Sequence, residues 1–129
     1  MEKNFSLGQS NELLKDGKIY DLHNCFDLET FVLRASDAEL VFRPNPTHGR
    51  GLPIIKLDVQ NVDYLEVSPN FHTANVTDVD EVGYKPRDDR DDSWLLTEEQ
   101  SQGVGDLFFR FHGGHFIRFH GSRIFLTEL

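Results

Sequence analysis

A near-repeat at the C-terminus constrains the fold of this chain more than any other feature. Phe109-Arg110-Phe111-His112-Gly113-Gly114 is followed eight residues later by Ile117-Arg118-Phe119-His120-Gly121-Ser122, and then by the apolar run Ile124-Phe125-Leu126. Glycine reaches the positive φ that two-residue hairpin turns need, so Gly113-Gly114 and Gly121-Ser122 read as tight turns between strands. The chain is thus predicted to end in a three-stranded antiparallel meander. Two-residue turns would set His112 opposite His115, Arg110 opposite Ile117 and Phe108 opposite Phe119. Across the second hairpin they would set Phe119 opposite Ile124, Ile117 opposite Leu126 and His115 opposite Glu128.

Period-two alternation also appears upstream. Phe26, Leu28, Thr30 and Val32 alternate with Asp27, Glu29, Phe31 and Leu33, and a turn at Ser36-Asp37 leads into Glu39–Arg43. The segment Pro44–Pro53, with three prolines and two glycines, is a loop. Alternation resumes over Ile54–Val59 and Tyr64–Val67, while Val76–Tyr84 fits an edge strand or an irregular crossing. Residues 1–17 are polar and read as poorly ordered or as one short helical turn closed by Gly17. Residues 85–106 read as a mobile acidic loop pinned by one apolar anchor, with a short helix after Ser93. At 129 residues there is one domain, 1–129. The expected class is all-β with little helix: a single antiparallel β-sandwich or partly open barrel ending in the meander.

Charge narrows the function. The formal net charge is -9, and residues 57–99 carry twelve acids against three bases. That field repels phosphate backbones, which argues against nucleic acid, and favours encounter with a basic protein. Within this stretch Trp94 stands close behind the aspartates Asp88, Asp89, Asp91 and Asp92; a ring anchor beside steering charges is an arrangement that docks basic partners. Asp88, Asp89, Asp91, Asp92 and Trp94 are therefore the candidate partner-binding residues. The lone Cys25 cannot form an intramolecular disulfide, no basic segment and apolar run open the chain, and no apolar stretch is long enough to span a bilayer. A cytoplasmic protein with no membrane partner is expected.

Catalytic signatures are absent. There is no Gly-x-Ser-x-Gly, Walker loop or His-Glu-x-x-His, and an EF-hand starting at Asp89 would put Trp94 at the glycine position and Gln100 at the twelfth. Cys25 reads as a small core residue, and no catalytic residue is assigned. The meander register does offer one ligand set: His112, His115 and Glu128 in one row would suit a divalent metal, with zinc or iron the natural choice. Otherwise no cofactor is expected.

Three stretches carry a resemblance. Phe31-Val32-Leu33-Arg34 turning into Leu40-Val41-Phe42, the segment Leu57–Val67, and the terminal hairpin ending in Ile124-Phe125-Leu126 together resemble small bacterial β-rich proteins of the polymorphic-toxin immunity type. The resemblance implies a stoichiometric inhibitor that covers a secreted toxin's active surface; it carries over no functional residue. The sequence thus predicts a non-catalytic protein-binding module for a basic partner. The alternatives are a metal- or small-ligand-binding protein at the His/His/Glu row, or a structural subunit of a bacterial assembly.

Overall fold

The computed structural model describes residues 1–72 and 76–129. Along the chain lie β1 (Glu2–Lys3), β2 (Ser6–Leu7), β3 (Glu12–Lys15), β4 (Lys18–Asp21), α1 (Leu22–Cys25), β5 (Phe26–Arg34) and β6 (Asp37–Pro44). They are followed by β7 (Ile55–Gln60), β8 (Tyr64–Val67), β9 (Val79–Lys85), α2 (Glu98–Ser101), β10 (Asp106–Phe111), β11 (Phe116–His120) and β12 (Arg123–Glu128). Among the described residues the strands form three sheets and no closed barrel, so the chain is all-β. The orders are β1-β12-β7-β6-β5, β8-β11-β10-β9 and β2-β3-β4. Every pairing is antiparallel except β1 beside β12. No helix among the described residues is long and apolar enough to cross a membrane.

The two larger sheets share one core. Alternation in β6, β7 and β12 buries Ala38, Leu40, Phe42, Ile55, Leu57, Val59, Ile124 and Leu126. From the four-stranded sheet come Leu107, Phe109, Phe111, Ile117 and Phe119, and the Phe42 and Phe109 rings meet at 5.9 Å. The small sheet adds Leu7, Leu13 and Tyr20.

The expected terminal meander is not formed. β10 and β11 do make a hairpin, but β11 pairs with β8 on its other side, and β12 pairs with β7 and β1 in the other sheet. The reason lies in how the two glycine sites are used. Gly113 and Gly114 both adopt positive φ (86° and 82°), but within a three-residue loop, His112–Gly114, closed by the Phe111 N–H donating to the His115 carbonyl at 2.7 Å. The register therefore slips by one: Phe108 faces Arg118, and Phe109 faces Ile117. Gly121 makes no turn of positive φ. A Cβ there would lie 2.6 Å from the Gln60 carbonyl oxygen and 2.8 Å from Val59 Cγ1. The missing side chain lets the chain pass close over the end of β7 as it changes sheets.

The N-terminal expectation is also corrected. Asp16 and Gly17, with φ of 52° and 78°, form a two-residue turn between β3 and β4, so Gly17 closes a hairpin rather than a helix. The β5–β6 turn falls on Ala35-Ser36, one residue earlier than predicted, and Ala35 takes the positive φ of 55°. The helix predicted after Ser93 is α2, one turn opened by a Thr97–Gln100 capping box. The Pro44–Pro53 loop is built on Asn45, whose Oδ1 accepts from the backbone N–H groups of Thr47, His48 and Gly49.

At the start of β5, Asp27 forms an isolated bridge with Asp78. Burial first, and then the Asp78 carboxylate, raise the Asp27 pKa, with Arg43 opposing. A carboxyl whose folded pKa is raised stabilises the fold below its unfolded value, about 3.9, and that contribution is lost as pH rises through the folded pKa. Asp27→Asn should therefore raise the melting temperature near pH 7 and leave it unchanged near pH 3, as thermal unfolding followed by circular dichroism would show.

Candidate functional site: the acidic loop

The outward face of the four-stranded sheet is not a solvated face. Pairing puts Phe108, Arg110, Phe116 and Arg118 on it, with Glu81 and Gly83 of β9 and Glu66 of β8. Phe108 and Arg118 are each 1% exposed, and Lys85 and Asp106 are fully buried. The cover is the segment between β9 and α2. It leaves β9 at Lys85, turns over the sheet, and returns at Leu96, which exchanges two 2.9 Å backbone hydrogen bonds with Tyr84. Gly83 makes this return possible, because a Cβ there would lie 2.5 Å from Leu95 Cβ and 2.9 Å from the Leu96 carbonyl oxygen.

Arg118 holds the cover down. Its Nε donates to Asp106 at 2.9 Å, Nη1 to the Asp89 carbonyl at 2.9 Å, and Nη2 to the carbonyls of Pro86 (2.9 Å) and Arg87 (3.1 Å). A planar fork of five donors suits this role, since it can meet a carboxylate and several carbonyls at once. Asp106 is bracketed from the other side by Arg87 Nε at 2.8 Å. Lys85 Nζ donates to the Trp94 carbonyl at 2.8 Å, pairs with Asp89 at 3.3 Å and lies 3.2 Å from the centroid of the Trp94 ring. Arg110 reaches the Asp92 carbonyl, and Arg90 donates to the Tyr64 hydroxyl at 2.8 Å. Among the described residues no buried side-chain nitrogen or oxygen lacks a partner. The loop is thus held by cations, where the sequence suggested a single apolar anchor; Leu95 and Leu96, both half-buried, supply the apolar contact, and Trp94 is 41% exposed.

The consequence is a partial separation of charge. Lys85, Arg110 and Arg118 lie beneath the loop and are spent on carbonyls, carboxylates and a ring, whereas Arg87 and Arg90 stay 42% and 63% exposed at its surface. Asp88 and Asp91 are exposed and Asp92 is half-buried. Asp91 accepts from the Ser93 hydroxyl and N–H, which lowers its pKa and keeps it ionised. Of the five residues chosen from sequence, Asp88, Asp91, Asp92 and Trp94 are therefore displayed on one loop. Asp89 differs, because its carboxylate serves the buried Lys85. The sequence reading assigned no role to Arg118, Lys85 or Asp106 and so missed the groups that hold the loop. The signal available was an arginine inside the apolar strand Phe116-Ile117-Arg118-Phe119, which requires a buried acceptor.

The His112, His115 and Glu128 row is not formed, because it depended on the meander. His112 is exposed in the hairpin loop, and His115 Nδ1 lies 3.4 Å from Ser68 Oγ. Glu128 belongs to the other sheet and accepts from Lys18 at 2.9 Å and Tyr20 at 2.7 Å. Among the described residues no group of three or more His, Cys, Asp or Glu side chains converges on a metal position. Cys25 is half-buried at the end of α1, and burial followed by the nearby Asp21 raises its thiol pKa, which disfavours a nucleophilic thiolate. Glu98, at the start of α2, accepts from the Leu7 N–H at 2.8 Å and the Tyr84 hydroxyl at 2.9 Å, and pairs with Lys3 at 3.1 Å. Those groups join the N-terminus to α2 and are occupied by one another.

Against known proteins, no family model, no curated protein and no solved structure matches this chain.

Arg118→Ala would leave Asp106 with Arg87 alone and remove the donor from three loop carbonyls. The expected loss is about 3–5 kcal/mol of unfolding free energy in urea titration, the cost of stripping one partner from a buried ion pair. Trypsin should then cut the native protein within the loop, at Arg87 or Arg90, while the unaltered chain resists.

Proposed function

We propose that this chain is a non-catalytic protein-binding module whose acidic loop docks a basic partner, with an immunity-type inhibitor of a secreted toxin as its particular form. The observation that carries the reading is the display of Asp88, Asp91 and the half-buried Asp92 beside a 41% exposed Trp94, on a loop whose underlying bases Lys85, Arg110 and Arg118 are spent on the protein itself. Arg87 and Arg90, also exposed, are paired with Asp106 and with Tyr64 and Glu66. A half-exposed tryptophan is a docking anchor, because it gains most by losing its remaining water, and the surrounding carboxylates accelerate encounter with a cationic surface. Holding the loop through Arg118 and Lys85 also means that little conformational entropy is lost on binding. The five- and four-stranded sheets, with their shared core and the Phe42–Phe109 contact, support a single sandwich as the rigid base for this surface. The half-buried Cys25, the only cysteine, fits a reducing compartment.

The test is comparative capture from a lysate of cells that make the protein. The unaltered chain should retain a basic protein at low salt and lose it as salt rises. The double reversal D88K/D92K should weaken that association about tenfold to a hundredfold by lowering the on-rate, and W94A should weaken it by about 2 kcal/mol through faster release. D88K/D92K should melt near the unaltered temperature, whereas W94A, which takes the ring away from the buried Lys85 ammonium, should melt lower, so its binding is compared well below its transition. Equal capture by D88K/D92K would refute the reading.

A further inference from the structure

Strand edges are where β proteins pair with other chains, because their outward N–H and C=O groups lack partners. Most edges here are blunted. β1 and β2 have two residues each, β9 is capped by Leu96, and β4 is four residues long with Asp21 committed to capping α1. β8 is short, and Arg90 clamps its Tyr64 and Glu66. The edge of β5 is different. Its first residues are covered, since the Leu28 N–H donates to the Thr77 carbonyl at 2.9 Å and Asp27 bridges Asp78. From Glu29 to Arg34 no strand among the described residues pairs with the outer edge. This stretch is Glu-Thr-Phe-Val-Leu-Arg, with Phe31 and Val32 half-buried and Leu33 52% exposed. Aromatic and β-branched residues on an uncovered edge are a template for strand pairing.

The hairpin fixes which groups are free. A two-residue turn closes on a hydrogen-bonded pair, here Arg34 with Asp37, and such pairs alternate along an antiparallel ladder. Val32–Glu39 and Thr30–Val41 are then also hydrogen-bonded pairs, which turns the backbone groups of Phe31 and Leu33 towards the open edge. The geometry points to a second copy of this chain as the occupant, with β5 paired antiparallel to β5 about a twofold axis through Val32. That register sets free groups against free groups: Phe31 meets Leu33 of the copy, Val32 meets Val32, and Thr30 meets Arg34 of the copy. Centring on Phe31 instead would drive Arg34 against Leu28, whose edge Thr77 occupies. The bulge between Leu28 and Thr30 leaves Glu29 exposed next to Thr30, so each Arg34 comes alongside Glu29 of the copy. A strand with an acid at one end and a base at the other is self-complementary only when the copies run antiparallel, and the contact then occurs twice. The two five-stranded sheets become one continuous sheet, and the acidic loops stay free.

Sedimentation velocity over a concentration series tests this. The unaltered chain should pass reversibly to a species of twice its 14.9 kDa mass as concentration rises. V32K, on the outward face opposite Glu39, should remain folded and monomeric throughout, because edge lysines block pairing. E29R should weaken self-association roughly tenfold, and E29R/R34E should restore it. D88K/D92K should leave it unchanged, so this interface and the acidic loop fail or stand separately. A chain that stays monomeric at every soluble concentration, a V32K variant that associates like the unaltered chain, or association indifferent to E29R would each overturn the proposal.

Discussion

The outward face of the four-stranded sheet depends on one buried ion pair, Arg118 with Asp106. A guanidinium on a central strand, walled by phenylalanine, must find acceptors for its donors or be driven from the interior. Asp106 meets Nε, and the carbonyls of Pro86, Arg87 and Asp89 meet the two Nη groups. The path of the acidic loop is thus dictated by what a buried cation needs. A leucine at this position would suit the phenylalanine wall but would give the loop nothing to bind. Buried pairs of this kind contribute little net stability against an apolar replacement; their effect is to select one arrangement among many.

The same logic explains a feature that composition alone makes puzzling. A chain of net charge -9 concentrates its excess of acids over bases in one third of its length, yet the loop with the densest run is packed against the protein. Repulsion among the aspartates is offset from below, by Lys85 under Asp89 and Trp94 and by Arg110 and Arg118 at the loop's carbonyls. The backbone and one carboxylate absorb the positive charge, and the remaining carboxylates face outward. A predominantly acidic surface on a fixed frame follows, with Arg87 and Arg90 the bases that remain exposed in it.

Much of the fold was legible in the residues, and the failures have physical causes. Alternation in β6 and β7 marked core strands, because each buries one face and period two is the imprint of that burial. By contrast, β10 and β11 are buried on both faces and were marked by their phenylalanine-rich runs and the glycines between them. The path of the chain between sheets was not legible, since glycine serves two ends. At Gly113 and Gly114 it supplies positive φ; at Gly121 it supplies the absence of a side chain, and a sequence does not say which. Asp16-Gly17 suits a hairpin turn, but Leu13 and Leu14 before it also fit a helical turn closed by Gly17, so these residues do not choose between the two. Within the candidate site, the outward aspartates and Trp94 could be chosen from local composition. Arg118, Lys85 and Asp106 could not, because their roles rest on contacts between residues up to 32 positions apart.

The placement of β12 bears on how such a chain reaches its native state. This strand lies between β1 and β7, joining residues 2–3 to 123–124 and 55–60 to 123–128. The hairpin of β5 and β6 with β7 can form from neighbours in sequence, but the inner edge of β7 stays bare until residues 123–128 arrive. Sheets closed by such distant pairings assemble slowly, since the entropy of closing the loop is lost before the contacts are gained. Until then Ile55, Leu57 and Val59 line an open ladder, which makes the half-built sheet, more than the finished one, the form of this protein most exposed to misassembly.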